Sequence, residues 1–317
     1  MNYDVFNGDA DGLCALHQLR LANPAAAELV TGVKRDIKLL DRVKAGAGDH
    51  VTVLDISLDS NRAGLMRLLE AGASVDYFDH HYAGEIPTHH NLALRIDLSA
   101  DVCTSILVNR YLHGRFRLWA IVAAFGDNLG RNARTLAKGS GLGKPQIEKL
   151  ASLGEYLNYN GYGDRLQDLH FDPAKLYKEI QPYPDPFDFI AKSPAFDLLA
   201  AGFHHDINMT VLLRPIQVRG HHAAYLLPDE AWARRVSGIF ANKLANDDPM
   251  GAHAVITSNR LGDYTVSVRA PVANPQGADT LCLKFETGGG RRAAAGINRL
   301  PADALDEFLA MFAEQFP

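Results

Sequence analysis

The chain has 317 residues, a length that suits two domains of ordinary size. Its hydrophobic share of 47% and charged share of 22% are typical of a globular protein with a substantial core. The net charge of −5 excludes a protein that coats long duplex nucleic acid by charge alone, because such binding needs an excess of lysine and arginine.

The first half of the chain alternates strand and helix signals. Short apolar runs predict strands at "YDVF" (3–6), "ELVTGV" (28–33), "HVTVLDIS" (50–57) and "SVDYF" (74–78). Helical spacing follows in "GLCALHQLRLA" and in "SNRAGLMRLLEAGA", the latter with Ser60 as a candidate N-cap, and the region from Val102 to about Tyr159 is mostly helical. Strands separated by helices predict a parallel sheet in a Rossmann-like α/β domain.

The boundary between two domains is predicted at "QPYPDPFDFIAKSPAF", where four prolines fall in a short stretch. This gives a first domain over 1–180, a linker over 181–196 and a second domain over 197–317. Beyond the linker, extended signals in "MTVLLRPIQV", "AHAVITS" and "TVSVRAP" are mixed with helical ones in "DEAWARRVSGIFANKLA" and "ADALDEFLAMFAEQF". We therefore expect a smaller, mixed α/β second domain, with a cleft between it and the first domain.

Acidic residues and histidines occur in the first domain where predicted elements end. They are Asp9 and Asp11 in "FNGDADG", Asp55 in "VLDIS", Asp79, His80 and His81 in "YFDHH", and Asp127 in "VAAFGDNLG". Ligands bind at the carboxyl ends of the strands of an open parallel sheet, and neighbouring strand ends lie about 5 Å apart. The spacing therefore predicts that these side chains converge, with flanking glycines that let the backbone approach a ligand.

A cluster of carboxylates needs cations, because the carboxylates would otherwise repel each other. Carboxylates with imidazoles suit manganese, iron or cobalt better than calcium, and the three scattered cysteines argue against structural zinc. Taken singly, each residue also has an ordinary structural interpretation as a turn, a cap or a loop acid. The joint, ordered occurrence favours a metal site, whereas the other histidine pairs, 89–90, 204–205 and 221–222, have no acidic strand end beside them.

Through these residues the sequence resembles the DHH phosphoesterase family, in the RecJ-like and oligoribonuclease-like branches. "DADG", "LDIS", "DHH" and "GDNLG" match its motifs in order. In the second half, "GGGRRAAAGI" (288–297) resembles the glycine-rich signature of the DHH-associated C-terminal domain, and "SVRAP" resembles the strand that carries a substrate-binding arginine.

The resemblance implies two Mn²⁺ ions, with Mg²⁺ or Co²⁺ as alternatives, and two-metal activation of water. Asp9 would bind the first ion, Asp55 would bridge both, and Asp11, His80 and Asp127 would hold the second. His81 would face the substrate and Asp79 would orient a histidine. The implied substrate-binding residues are Arg269, Gly288, Gly289, Gly290 and Arg291.

Three positions depart from the family pattern, and the first is Val5, where many relatives have a histidine four residues before the first aspartate. Asn7 stands where the RecJ-like branch has the first aspartate of Asp-x-Asp-x-Asp, and it would be a neutral oxygen ligand of the first ion or none at all. Arg291 stands where the glycine signature usually has a histidine, and it can bind phosphate or lie in a solvated loop.

The implied activity is hydrolysis of short nucleotides: oligoribonucleotides, linear dinucleotides or 3′-phosphoadenosine 5′-phosphate. The alternatives are a cyclic dinucleotide phosphodiesterase and a nucleotide-binding regulatory protein with a degenerate site. We expect a cytoplasmic protein with no membrane partner and possible homodimer formation, since the chain shows no signal peptide and no long apolar run. "NYNGYG" (158–163) is predicted as either a base-stacking loop or a helix end with surface tyrosines.

Overall fold

A computed structural model describes all 317 residues, Met1–Pro317, which form two compact units. The first unit is Met1–Ala201 and the second is Gly202–Pro317. Each unit has its own sheet and core, so the chain contains an α/β architecture twice, as the sequence predicted.

The sheet of the first unit has five strands, all parallel, in the order β2-β1-β3-β4-β5. The strands are β1 (Asn2–Phe6), β2 (Glu28–Val30), β3 (His50–Leu54), β4 (Ser74–Asp79) and β5 (Leu92–Ile96). The central strands β1, β3 and β4 are buried nearly throughout, because helices cover a parallel sheet on its faces. Strand β5, which is partly exposed along its length, was not predicted from the sequence.

Nine helices belong to the first unit, and the last of them crosses its boundary. They are α1 (Ala10–Ala22), α2 (Leu58–Glu70), α3 (Thr104–Tyr111), α4 (Arg117–Gly126), α5 (Gly130–Lys138), α6 (Lys144–Gly161), α7 (Pro173–Ile180), α8 (Pro186–Lys192) and α9 (Pro194–Thr210). The N-cap of α2 is Ser57 and not Ser60, which was predicted to be the N-cap. The Ser57 hydroxyl accepts a hydrogen bond from the backbone N–H of Ser60. Leu65, Leu68 and Leu69 of α2 are buried against the sheet, as their spacing indicated.

The segment predicted as a linker, 181–196, is largely helical. Prolines in this segment start helices instead of interrupting them: Pro186 is the first residue of α8, with Asp185 as its N-cap, and Pro194 is the first residue of α9. Proline suits the first helical position because its missing N–H has no partner there anyway. The unit boundary accordingly lies later than predicted, within α9.

The second unit contains a six-stranded mixed sheet in the order β10-β11-β9-β8-β7-β6. Its strands are β6 (Gln217–Arg219), β7 (His222–Leu227), β8 (His253–Ser258), β9 (Tyr264–Arg269), β10 (Gly288–Arg291) and β11 (Ala294–Leu300), and its helices are α10 (Ala231–Asp247), α11 (Ala278–Cys282) and α12 (Leu305–Gln315). Only β7 and β8 pair in parallel, as a strand–helix–strand unit through α10. The core lies between the sheet and the aromatic face of α12, which includes Phe308 and Phe312.

The stretch 209–218 was predicted to be extended, but α9 continues to Thr210 and a strand begins only at Gln217. Apolar runs of this length do not distinguish a strand from the end of a helix. None of the helices combines the length and the hydropathy that crossing a bilayer requires.

Candidate metal centre

The carboxyl ends of three adjacent strands bring the predicted residues together. Asp9 and Asp11 follow β1, Asp55 follows β3 directly, and His80 follows β4. Asp127 joins them as the C-cap of α4. This convergence results from the parallel topology, in which all carboxyl ends share one edge of the sheet.

Four of these side chains form a group that we call the acidic cluster: Asp11, Asp55, His80 and Asp127. Ligand atoms of Asp11, His80 and Asp127 all lie within 4.8 Å of one another, and the same holds for Asp55, His80 and His81. The Nε2 atom of His80 is 3.5 Å from Asp55 Oδ1 and 3.9 Å from Asp127 Oδ2. The imidazole is therefore shared by both groups.

The amino end of α3 positions two members of the cluster. Both carboxylate oxygens of Asp11 accept backbone hydrogen bonds, from Thr104 N and Ser105 N at 2.7 Å each. The Thr104 hydroxyl donates to Asp55 Oδ1 at 3.1 Å. Thr104 and Ser105 were missed in the sequence because nothing local to them indicates chemistry; the only signal is a helix start.

Asp55 has a backbone conformation that is rare for a residue with a side chain. Its φ is 60°, in the left-handed region, where Asp and Asn are the most tolerated residues after glycine. The side chain is buried, and this conformation directs it to the shared edge of the sheet. Conformational strain of this kind concentrates at functional sites.

Asp79 and His81 form a separate hydrogen-bonded pair beside the cluster. His81 Nδ1 lies 2.7 Å from Asp79 Oδ1. Asp79 is fully buried, whereas the His81 side chain is 41% exposed. Burial opposes the charge on His81, but the bond to Asp79 outweighs it and raises the pKa of the imidazole. The pair thus combines a fixed ring orientation with access from solvent.

Burial and mutual repulsion disfavour the charged forms of two carboxylates in the acidic cluster. Burial, reinforced by Asp11 and Asp9, raises the pKa of Asp55 well above its usual range. Burial, opposed by Lys34 and reinforced by Asp11, raises the pKa of Asp127 to about 6. A cation bound beside these two carboxylates would favour their ionised forms.

Asp9 has a different environment. Its Oδ1 caps α1 by accepting from Asp11 N and Gly12 N at 3.0 and 3.1 Å, and its Oδ2 accepts from Lys34 Nζ at 2.5 Å. Burial alone would raise the pKa of Asp9, but Lys34 and the capping hydrogen bonds lower it below the ordinary value. Both oxygens of the Asp9 carboxylate therefore already have hydrogen-bond donors.

Lys34 was missed in the sequence analysis. Its ammonium also donates to Asn158 Oδ1 at 2.9 Å, and burial of the ammonium is outweighed by Asp9, so its pKa is raised well above the usual value. Its only signal in the sequence is its place in "ELVTGVK", shortly after β2, and the structure shows that β2 is the neighbour of β1 in the sheet. A residue shortly after β2 is therefore near the same edge.

The first motif is held together by tight packing. A Cβ at Gly8 would lie 2.0 Å from Gly32 O, and one at Gly12 would lie 2.1 Å from Asn7 O. These glycines are thus required by the protein's own backbone, which is a sufficient reason for them without a ligand. The Asn7 side chain is buried, with Nδ2 donating to Lys34 O at 3.4 Å and with Oδ1 lacking any hydrogen-bond partner.

In the second unit, Arg269 and the triple glycine lie on the paired strands β9, β10 and β11. The Arg269 guanidinium donates to Asn242 Oδ1 at 2.6 Å and to Val268 O at 3.0 Å. The glycines form β10 and not an open loop, and Arg291 at the end of this strand is exposed. The residues predicted for substrate binding are therefore neighbours on one sheet.

The segment 158–163 contains a helix end, as one of the two alternatives predicted, but Tyr159 is not on the surface. It is the end of α6, in which Tyr159 is fully buried and Asn160 exchanges two hydrogen bonds with the backbone of Phe171. Asn158 contacts Lys34, so this segment supports the edge of the site from within the fold.

The donor set of the acidic cluster suits a divalent cation. It offers three carboxylates and one imidazole, the combination that manganese, iron or cobalt accept. Asp9, in contrast, has no oxygen without a donor.

Comparison with solved structures identifies the fold. The manganese-bound exonuclease RecJ superposes with a TM-score of 0.59 at 18% identity, over 100% of this chain and 90% of that one. RecJ from Thermus thermophilus in complex with Mn²⁺ gives the same score and identity, with 52% of its chain covered. A pGpG-specific phosphodiesterase from Vibrio cholerae, PggH, gives 0.53 at 13% identity, over 99% of this chain and 98% of that one.

No protein-family model and no curated protein sequence matches the chain. At these identities the structural similarity concerns the fold, and it confirms the RecJ-like DHH fold predicted from the ordered motifs.

Proposed function

We propose that this protein is a metal-dependent phosphoesterase that hydrolyses short nucleotides, with manganese as its preferred ion. One observation carries the proposal: the acidic cluster gathers three carboxylates and an imidazole at the carboxyl edge of a RecJ-like sheet. Charged groups with raised pKa values in such a position are typical of functional sites.

The acidic cluster would hold the ion. A divalent cation bound there would lower the pKa of a bound water and stabilise charge that develops on a phosphoryl group. Manganese is supported by the two RecJ structures that contain it, and a further structure of the Thermus protein contains Mg²⁺.

We assign His81 to the phosphoryl oxygens or to the leaving group of the substrate. Its exposure and the hydrogen bond from its Nδ1 to Asp79 support this role, because the bond leaves Nε2 as the atom that can contact a substrate. Asp79 acts through His81, as the residue that orients the ring. For the second unit we propose substrate binding through Arg269, Arg291 and the glycine strand, on the basis of the sequence signature.

The proposed substrates are linear dinucleotides and oligoribonucleotides of a few residues, with 3′-phosphoadenosine 5′-phosphate as a further candidate. The pGpG-specific phosphodiesterase supports this size class, since the two chains cover each other almost completely. The net charge of −5 agrees with a small substrate bound at a local site and not with a long nucleic acid bound along the surface.

The test is an assay of the purified chain with Mn²⁺ on a short RNA ladder, pGpG, a cyclic dinucleotide and 3′-phosphoadenosine 5′-phosphate. We expect manganese-dependent release of mononucleotides from the RNA ladder and from pGpG. Turnover of the cyclic dinucleotide alone would support the cyclic dinucleotide phosphodiesterase instead.

The matched variants are His80→Asn and His90→Asn. His80 belongs to the acidic cluster, whereas His90 is an exposed histidine of an ordinary loop. Loss of turnover in the first variant alone would tie the activity to the cluster. No turnover of any substrate, together with nucleotide binding that EDTA does not weaken, would identify a regulatory binding protein and refute the proposed activity.

A further inference from the structure

Lys34 and Asp9 form an ion pair at the position predicted for the first of two metal ions. The distance between Lys34 Nζ and Asp9 Oδ2 is 2.5 Å, and the Asp9 side chain is only 4% exposed. The other oxygen of Asp9 is occupied by the two backbone N–H groups that it caps. A cation at Asp9 would therefore have to displace the Lys34 ammonium or break the N-cap of α1.

The ammonium of Lys34 is fixed from several sides. Nζ donates to Asn158 Oδ1 at 2.9 Å and lies 5.4 Å from the centre of the Tyr162 ring. The backbone N of Lys34 donates to Gly161 O at 2.8 Å. The end of α6 thus anchors this lysine through both backbone and side chain, so holding it at Asp9 requires little further ordering of the side chain.

The two sides of the site differ in charge balance. On one side Lys34 neutralises Asp9, and on the other the acidic cluster has no lysine or arginine among its own members. Removing one partner of a buried ion pair leaves an uncompensated charge, so a pair that is already formed resists exchange for a metal ion. The need for a divalent cation is confined to the acidic cluster.

We propose that the Lys34 ammonium takes the place of one of the two metal ions, so that the centre binds a single divalent ion through the acidic cluster. This inference rests on the proposed metal centre. An ammonium has three N–H donors, and Asp9 and Asn158 use two of them. The third can reach a phosphoryl oxygen, and the 24% exposure of the Lys34 side chain leaves room for that contact.

The first test measures bound metal and not activity. Full-length wild-type protein, Lys34→Met and Lys38→Met are equilibrated with MnCl₂, and the bound Mn²⁺ per chain is determined by equilibrium dialysis with elemental analysis. Lys38 is an exposed lysine of the same loop, so Lys38→Met is the matched control. We expect one bound ion per chain in the wild type and in Lys38→Met, and two in Lys34→Met, because that substitution releases Asp9 Oδ2. One bound ion in all three proteins would overturn the proposal that the Lys34 ammonium takes the place of a metal ion.

The second test uses the wild type alone and does not depend on the folding of a variant. Two manganese ions about 3.5–4 Å apart give an exchange-coupled electron paramagnetic resonance spectrum, whereas one ion gives an isolated Mn²⁺ signal. We expect the isolated signal. A coupled spectrum with two ions per chain would overturn the inference and leave the proposed function intact, whereas no bound Mn²⁺ at all would refute the metal centre itself.

Discussion

The two units use their sheets in different ways. In the first unit, every parallel strand ends at the same edge, and the side chains that follow β1, β3 and β4 meet there. In the second unit, β9, β10 and β11 are antiparallel neighbours, and the residues predicted to bind substrate are distributed along the strands. A parallel sheet concentrates polar groups at one edge, whereas an antiparallel sheet presents them along a face.

The same contrast applies to what holds these residues in place. The amino end of α3 holds Asp11 and Asp55 by hydrogen bonds, but the members of the acidic cluster face one another with no lysine or arginine among them, and hydrogen bonding alone does not explain why three carboxylates are gathered there. Arg269 and two of the three glycines are engaged by the protein itself, through Asn242 for the arginine and through close backbone packing for Gly288 and Gly290. Chemistry is therefore the simplest explanation for the first set, and packing is a sufficient one for much of the second.

The largest expected effect is that of Asp55→Asn. Asn tolerates the left-handed φ of 60° and keeps the shape of the side chain, but it removes a charged ligand from the acidic cluster. We expect manganese-dependent turnover to fall by more than about 100-fold, since even an orienting partner of a metal ligand is worth 10- to 100-fold. Initial rates on pGpG measure this, with the melting temperature of the metal-free protein as a control that should not fall. Unchanged turnover would show that the acidic cluster takes no part in the reaction.

Asp79→Asn should have the next largest effect. The variant weakens the bond that orients His81 and leaves the acidic cluster intact, so we expect a fall in kcat of about 10- to 100-fold with unaltered Mn²⁺ binding. Asp76→Asn is the matched control, because Asp76 lies on the same strand but is partly exposed and pairs with Arg95. A loss of bound Mn²⁺ in Asp79→Asn would indicate that Asp79 is a ligand and not an orienting residue.

Two glycine variants test the second unit. A Cβ at Gly288 would lie 1.7 Å from Cys282 O, so Gly288→Ala should lower the free energy of unfolding by about 1–3 kcal/mol or more. A Cβ at Gly289 meets no atom within 4 Å, so Gly289→Ala should change stability by no more than about 0.5 kcal/mol. If β10 contacts substrate, Gly289→Ala raises KM without unfolding; calorimetry and steady-state kinetics separate the two effects. An unchanged KM in a stable Gly289→Ala variant would exclude a close substrate contact at this residue.

The smallest expected effect concerns His17, a histidine outside the acidic cluster. Its ring is buried, packs edge-on against Trp119 at 4.7 Å, and hydrogen-bonds Tyr183 O at 2.9 Å. Burial lowers the pKa of His17 from 6.5 to about 4. The unfolded chain binds a proton at this residue below about pH 6.5 while the folded unit does not, so folding stability falls as the pH decreases from 6.5 towards 4.

Between pH 7 and pH 5.5 this amounts to a loss of about 1 kcal/mol. The measurement is urea unfolding in a Trp232→Phe background, where Trp119 reports on the first unit alone, since the chain has 2 tryptophans. In the same background, the free energy of unfolding of His17→Gln should fall by about 1 kcal/mol less over this pH range. An equal loss in both proteins would show that His17 titrates normally in the folded state.

Much of the first unit was predictable from sequence. Buried parallel strands appear as apolar runs, and the residues just after them are fixed in position by the sheet, so Asp11, Asp55, His80 and Asp127 could be grouped from their places at the ends of predicted elements. Local rules failed where prolines were involved: 181–196 was predicted to be a linker because prolines break helices, yet two of its four prolines, Pro186 and Pro194, begin helices.

The sequence by itself determined the parallel sheet, the order of the motifs and a set of candidate ligands in which Asp9 was grouped with the acidic cluster, because these depend on periodicity and on position relative to a strand end. Only the tertiary structure decided that Lys34 neutralises Asp9, that the amino end of α3 holds Asp11, and that Asn158 supports the lysine. Those contacts join residues 25, 93 and 124 positions apart in the chain. No local pattern encodes such pairs, since they depend on which loops the packing of the helices brings to the same edge.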